Sequence, residues 1–519
     1  MEISTVVSKC RDAFRAGATR SLEQRRDLLR AVVRMLDENE SALCSAVQAD
    51  LRKHPHETTS TELSVSRAEA YHFLHHLGTY MASEKPQLEG PFYFEDCEIR
   101  REPLGVVLII GAWNYPLQLT LLPLLGALAA GNTAVVKPSE MAPATATILQ
   151  ELLSKYLPTG VVGVVNGGVP ETTRLLKERF DHIFYTGGAH VAKIVMAAAA
   201  NHLTPVTLEL GGKSPAIVDA SCEKDLSAVA RRIMWGKVVN AGQTCVAPDY
   251  VLVHSQLVSK LIVALEEARK DMLGKDPLRQ RQEYPAIVSA KHFQRLVSLM
   301  KGGTVVLGGE MDEASRTIAP AVLCNVQLDH PLMTEEIFGP LLPLVPYDTL
   351  EEVISFINAR KKPLALYVFS KDKGFISDVL GSTSSGGALV NDVIMHAAAC
   401  GLPFGGVGPS GMGAYHGKFS IDTFSHRKAV MRRRLGMESL DAPRYPPYTD
   451  AKLRVMRSVL EPAGESAPVW RRLWLFPALW RCAMVSYHYL RYLAAPQCEE
   501  VPHKDASPSQ PPRQSVHQD

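Results

Sequence analysis

The chain has 519 residues, 46% of them hydrophobic and 21% charged, with a net charge of +2. That length exceeds one ordinary core, so two or more domains are expected. The near-neutral balance argues against nucleic acid as the main partner, a role that calls for a strongly basic domain.

The N-terminal MEISTVVSKCRDAFRAG carries early charges and no long apolar run, so no secretory signal is expected. Residues 1 to 82 read as helices. In SLEQRRDLLRAVVRMLDENESALCSAVQADL apolar positions recur at helical spacing, and Ser21 with Glu23 and Gln24 marks a helix start. From about residue 103 the rhythm changes. LGVVLII, TAVVKP, GVVGVVNG, HIFYTG and VTLELGG are short β-rich apolar runs separated by helix-length segments. That alternation predicts β-α units, a parallel sheet and a ligand crevice at the strands' carboxyl ends. AIVDA, YVLVH, TVVLGG, LLPLVPY, ALYVFS and GALVND continue it, predicting a second doubly wound α/β domain.

The chain's nine cysteines are scattered, without C-x-x-C pairs or zinc-ligand spacing, so neither a disulfide framework nor a metal site is expected, and a reducing compartment is. One of them has unusual company. In NAGQTCVAPDY, Cys245 lies among small, polar, turn-forming residues, whereas cysteine usually hides in apolar surroundings. The predicted strand ends offer Asn114 from GAWNYP, Lys137 and Glu140 from KPSE, and Glu209 from LELGGKSP. A cysteine reaching that crevice from the second domain would meet an amide donor, a carboxylate and a lysine, the parts of a nucleophilic site. The G-x-G-x-x-G at Gly406–Gly411 neither follows a clean strand nor opens a helix, so it reads as an active-site wall, not a dinucleotide fingerprint.

The six motifs NAGQTC, LELGGKSP, GAWNYP, VVKPSE, EEIFGP and PFGGVGPSGMG, which occur in the family's order along the chain, together resemble the NAD(P)-dependent aldehyde dehydrogenases. The tract NDVIMHAAACGLPFGGVGPSGMGAYHGKFSIDTFSH is similar to their class 3 branch, which oxidises medium- and long-chain aliphatic and aromatic aldehydes. The resemblance covers about residues 1 to 436. It implies that Cys245 attacks the aldehyde as a thiolate, that Asn114 and the Cys245 N–H hold the oxyanion, and that Glu209 deprotonates the water that hydrolyses the resulting thioester. A setting that favours the thiolate is therefore expected. The resemblance implies NAD or NADP as cofactor. Lys137 and Glu140 match adenosine-ribose contacts, Glu336 and Phe338 match nicotinamide-ribose contacts, and Gly187 and Gly188 match the turn beside the pyrophosphate. Trp113, Val191 and Ala192 complete the implied cofactor contacts. Here the sequence departs from the family's TGS pattern, with Gly188 in place of the Ser and Ala192 in place of a later Gly. At a helix position Ala is the better former by about 1 kcal/mol, so the helix is expected to survive.

The implied division is an NAD(P)-binding domain over 1–208, with 87–103 as a dimerisation hairpin, a catalytic domain over 209–411, and a return over 412–436 to the bridging and oligomerisation region. A homodimer follows from the resemblance. Residues 437–468 read as a linker and 495–519 as a disordered tail. Residues 469–494 hold three of the chain's five Trp (Trp470, Trp474 and Trp480), together with Tyr and Arg, and no long charge-free run. That composition fits a segment lying in a membrane interface, so the expected location is cytoplasmic and peripheral on a membrane. Two other functions stand beside the main one: a relative that transfers the acyl group, and a non-catalytic protein that kept the fold. The first lacks a carboxylate at the position of Glu209, and the second would be signalled by loss of Cys245, Glu209 or Asn114; all three residues are present here.

Overall fold

The computed structural model describes residues 2–88, 92, 95–278, 284–433, 435–436 and 438–460, with 486–487, 490 and 494. The expected membrane-interface segment and the terminal tail thus lie almost wholly outside the described residues. The chain divides into two compact units, one of residues 1–83 and 100–428 and one of 84–99 and 429 onward.

The larger unit opens with helices, as periodicity predicts. The helix Leu22–Glu38 starts in a capping box in which Ser21 accepts from the Gln24 N–H and Gln24 accepts from the Ser21 N–H. The strands that follow are β1 (Asp96–Pro103), β2 (Val106–Ile110), β3 (Thr133–Lys137), β4 (Val162–Val164), β5 (His182–Thr186), β6 (Val206–Glu209), β7 (Pro215–Val218), β8 (Tyr250–His254), β9 (Thr304–Leu307), the short pair β10 (Met311–Asp312) and β11 (Thr317–Ile318), then β12 (Ala321–Cys324), β13 (Leu341–Tyr347), β14 (Ala365–Phe369), β15 (Gly387–Val390), β16 (Gly411–Met412) and β17 (Ser425–Arg432).

Two sheets result. The first has the order β16-β6-β5-β2-β3-β4 and the second β15-β14-β7-β8-β13-β12-β9. Every internal pairing is parallel; only the edge strands β16 and β9 run antiparallel to their neighbours. β2 and β3 are buried along their whole length, as strands covered on both faces must be, and the helix Gln118–Ala130 against them is almost wholly apolar and buried. In the first sheet the chain winds outward from β2 through β3 to β4, then returns to β5 and β6 on the other side. The direction reverses between β2 and β5, and a crevice opens at such a switch point.

Register aligns the carboxyl ends. Ile110 pairs with Lys137 and Tyr185, and Thr186 pairs with Glu209. The residues just beyond Ile110, Lys137, Thr186 and Glu209 therefore leave the sheet at one level.

Of the segment 87–103, the described residues 95–103 hold β1. Glu84 and Ile99 make one antiparallel bridge, and β1 finds its strand partner in β17, more than 300 residues later. Ion pairs accompany the pairing: Asp96 and Glu98 accept from Arg432, and Glu95 accepts from Arg433.

Candidate active site

Cys245 follows a turn that few sequences tolerate. The helix Leu226–Val238 ends, and Asn240, Ala241 and Gly242 take φ of 50°, 51° and 70°, three consecutive left-handed residues. For residues with a Cβ this conformation costs roughly 1–2 kcal/mol each, so neighbours must hold it. They do so with neutral amides. The Asn240 side-chain amide donates to the Asn114 carbonyl at 2.7 Å and to the Gln243 carbonyl at 3.0 Å. Gln243 donates to the carbonyls of Asn240 and Ala286 and accepts from the Val288 N–H. Glu57 accepts from the Asn240 N–H at 2.8 Å, and the Tyr115 and Thr244 hydroxyls meet at 2.7 Å. At Gly242 a Cβ would stand 2.4 Å from the Gly339 carbonyl, so the turn needs glycine for close approach as well as for φ.

Asn114, 3% exposed beyond the end of β2, donates its side-chain amide to the Gln243 carbonyl at 3.0 Å. An amide has two hydrogens, so this bond fixes its plane and leaves one donor over. Its carbonyl accepts from Lys53 at 3.2 Å, and Lys53 is itself fully buried against Glu62 at 2.8 Å.

Glu209 ends β6, is 3% exposed, and neither carboxylate oxygen has a hydrogen-bond partner among the described residues. Burial pushes its carboxyl well above the usual range. A buried, unpartnered and perturbed carboxyl marks a functional group more often than a packing residue. Cys245 lies deep but keeps part of its surface open. Its thiol is pushed up to about 12, first by burial and then by the charges of Glu336 and Glu209. This corrects the expectation of a setting that favours the thiolate. Burial and the two carboxyls both disfavour the thiolate.

Lys137, 3% exposed at the end of β3, pairs with Glu140 at 2.6 Å. Burial raises the Glu140 carboxyl, but the Lys137 ammonium outweighs it and the group ends below its ordinary value. Gly187 follows β5 with φ 158°, and a Cβ there would strike the Tyr185 hydroxyl at 2.3 Å. Gly188 caps the helix Ala189–Ala200 with open space where its side chain would be. Val191 is 40% exposed, whereas Ala192 is buried, its methyl packed with Val195 and Ala199 in the core and its N–H bonded within the helix to Gly188.

Glu336 and Phe338 lie on one turn. Glu336 is raised to about 8 by burial and by Asp249, and one of its oxygens is buried without a partner. A Cβ on Gly211 would collide with it at 2.2 Å. Phe338, at φ 50°, meets Trp113 edge to face at 5.3 Å. The crevice thus gathers Asn114, Glu209, Cys245 and Glu336, while Lys137, Glu140 and the Gly187–Gly188 turn stand at the neighbouring strand ends.

Sequence reasoning passed over several participants. Lys213 and Asp249 sat inside the quoted motifs LELGGKSP and CVAPDY, and Tyr115 inside GAWNYP, so their signal was position. Lys237, fully buried, is held down to about 8 by burial, with Asp249 and Glu336 pulling the other way. Glu57 and Glu62 come from the N-terminal helical segments and Lys53 from the connection after Leu51, where nothing local distinguishes them from surface charges.

The model of the aldehyde dehydrogenase family matches residues 1–430. Mouse aldehyde dehydrogenase family 3 member A2 is 50% identical over 448 residues, 86% of this chain and 92% of the relative. The mouse dimeric, NADP-preferring aldehyde dehydrogenase is 48% identical over 445 residues, 86% of this chain and 98% of its own length. Among solved structures, a substrate-bound state of Staphylococcus aureus AldH superposes with a TM-score of 0.84 at 39% identity, covering 88% of this chain and 99% of that one. The chain belongs to the aldehyde dehydrogenase family and is an enzyme that oxidises aldehydes with NAD(P).

Proposed function

We propose that this enzyme oxidises medium- and long-chain aliphatic or aromatic aldehydes to carboxylic acids, with Cys245 as nucleophile, Asn114 as oxyanion donor and Glu209 as the deacylating base. The observation that carries the reading is the buried, unpartnered Glu209 carboxyl acting on the Cys245 thiol. Sulfur attacks the carbonyl carbon as the thiol proton leaves to a base. The carbonyl π pair becomes an alkoxide, which the spare Asn114 amide hydrogen and the Cys245 N–H receive; one such donor is typically worth about 3 kcal/mol. A bound NAD(P) would supply the hydride acceptor and a positive charge beside the thiol. Glu209 then removes a proton from water as it attacks the thioester, and the thiolate leaves. Acyl transfer to another acceptor is disfavoured by a carboxyl already stationed where water must be activated.

The cofactor's fit rests on three observations: the buried Lys137 cation, the open space at Gly188 where a helix begins, and the orphaned Glu336 oxygen. Lys137 and Glu140 hold the adenosine ribose. Gly187, Gly188 and Val191 flank the pyrophosphate, with Ala192 supporting the turn from the core side. Glu336 and Phe338, backed by Trp113, hold the nicotinamide side. In this reading the NAD(P)-binding domain (1–208) is built on the first sheet, to which β16 (Gly411–Met412) returns as an edge strand, and the catalytic domain (209–411) on the second. Beside the nucleophile turn, Trp235, Val238 and Val239 face His54, His56, Glu57, Ser60 and Thr61 across a hollow of about 360 Å³.

The enzyme works as a homodimer, a reading supported by the dimeric relative at 48% identity. No described helix is long and apolar enough to cross a membrane. Residues 469–494 place the enzyme on a membrane surface from the cytoplasmic side, a reading that rests on composition alone. NAD(P)H formation with aldehydes of graded chain length, using each cofactor in turn, tests the activity; no turnover with any aldehyde overturns it. Flotation with anionic liposomes, full chain against a chain ending at Ser466, tests the tail; both remaining at the bottom of the gradient overturns the anchor.

A further inference from the structure

We propose that Lys213, Asp249 and Arg295 are positioning residues that set the turn carrying Glu336 and Phe338, and so govern hydride transfer without serving the chemistry at Cys245. The inference rests on the reading of Glu336 and Phe338 as nicotinamide-side contacts. Three charged side chains grip the backbone of three consecutive residues. Lys213 spends all three of its ammonium hydrogens: on Asp249, on the Leu332 carbonyl at 2.7 Å and on the Glu335 carbonyl at 2.9 Å. Asp249 answers from the other side, its second oxygen accepting from the Ile337 N–H at 2.8 Å. Arg295, on the helix Ala290–Leu299, donates to the Glu336 carbonyl and to the Ile337 carbonyl at 2.8 Å. Lys213 and Asp249 are joined through backbone as well, since the Asp249 N–H donates to the Ser214 carbonyl at 2.8 Å.

Such investment in one turn has a geometric reason. The Phe338 backbone takes φ 50°, a conformation that a bulky side chain adopts only when its surroundings impose it. The turn's next residue, Gly339, presents the carbonyl against which Gly242 packs. The clamp therefore fixes Glu336 and Phe338 relative to the nucleophile turn, while the nucleophile turn has its own separate set of bonds, from Asn114, Asn240, Gln243 and Glu57. Releasing the clamp moves the nicotinamide contacts and leaves the thiol where it is. A displacement near 1 Å in a positioning group costs about a hundredfold in rate.

The test compares two activities of one protein. Cofactor-free hydrolysis of p-nitrophenyl acetate uses Cys245 and Glu209 and no hydride transfer; aldehyde oxidation needs both. Lys213→Met and Asp249→Asn should lower the ratio of oxidation to ester hydrolysis by about tenfold or more. An isotope effect with 1-deuterated aldehyde should grow, and NAD affinity measured by calorimetry should weaken. Arg295→Lys keeps the charge but loses the two-pronged grip, and Arg295→Met loses both; they supply the same reading should the buried pair's variants fail to fold. A ratio that falls by less than about fivefold in all soluble variants overturns the proposal, whether both activities hold or both collapse together. Failure of the underlying activity looks different, because wild-type protein would then oxidise no aldehyde.

Discussion

The turn before Cys245 and the turn around Glu336 are both strained, lie against each other at Gly242 and Gly339, and are built from opposite materials. Asn240, Gln243, Asn114 and Thr244 hold most of the first with amide and hydroxyl groups, the Glu57 carboxyl adding one bond to the Asn240 N–H; Lys213, Asp249 and Arg295 hold the second with charged ones. An amide fixes geometry without imposing a charge, so the thiol's ionisation is left to the carboxyls and to whatever cation binds. At the second turn the charges are compatible with function, since Glu336 is itself drawn down by Lys213 and Arg295 against a larger rise from burial. The lesson is that one site separates holding the nucleophile from tuning it.

Breaking the first turn's chemistry has the largest effect. Cys245→Ala should lower aldehyde oxidation by more than about a thousandfold while NAD still binds, because the covalent route is closed. Appreciable turnover by this variant ends the assignment. The unmodified thiol, raised to about 12, should alkylate with iodoacetamide ever faster as pH rises past neutrality, and faster at any one pH once NAD+ is added. A rate already on a plateau at pH 8 without cofactor would mean that the thiolate is preformed.

Next comes the base. Glu209→Gln keeps shape and removes proton uptake, so deacylation should slow by about 10²–10⁴-fold, and mass spectrometry after aldehyde and NAD should find an acyl adduct on Cys245. Because burial raises Glu209, its working, deprotonated form gains population as pH rises, and wild-type deacylation should climb with pH. A normal steady-state rate in the variant removes Glu209 from the role.

Much of this was legible in sequence, for a physical reason. Fully buried parallel strands must be continuous apolar runs, so β2, β3 and β5 stand out, and residues just past them must face the crevice; Asn114, Lys137 and Glu209 were placed by that rule, and Gly187 by the family resemblance. β12 and the helix Ala290–Leu299 escaped notice: AVLC is brief, and the helix sits in a stretch without strand punctuation. The pairing of β1 with β17 was not legible, because nothing in 87–103 reveals a partner over 300 residues away. Electrostatics were the least legible. Four motifs place polar groups around Cys245, yet only burial and the approach of Glu336 show that the thiol is pushed up and not down.

A smaller effect sharpens the second turn. Glu336→Gln should slow oxidation and yet stabilise the fold. The carboxyl is raised from 4.5 to about 8, so the folded protein keeps a proton that the unfolded chain releases. Its stabilising effect is full below about pH 4.5 and is lost as pH rises towards 8. Gln stays neutral throughout, so thermal melts should gain about 1–3 kcal/mol at pH 9 and little at pH 4. A variant less stable at pH 9 would show that the Gly212 N–H and Lys213 compensate Glu336 fully.

The smallest effect belongs to Ala192, where the sequence departs from its family's glycine. A methyl in the cofactor turn would be expected to crowd the pyrophosphate, but this one points into the core with Val195 and Ala199, and the open space lies at Gly188, four residues earlier. The alanine therefore serves the helix, worth about 1 kcal/mol over glycine in a helix interior. Ala192→Gly should lower stability by about that amount, and somewhat more because a buried methyl is lost with it. NAD affinity should change by less than about tenfold, or 1.4 kcal/mol, since no crevice surface is remade. Calorimetric titration of both proteins with NAD decides the matter. A gain beyond tenfold would mean that the methyl reaches the cofactor after all and that the natural alanine trades affinity for helix stability.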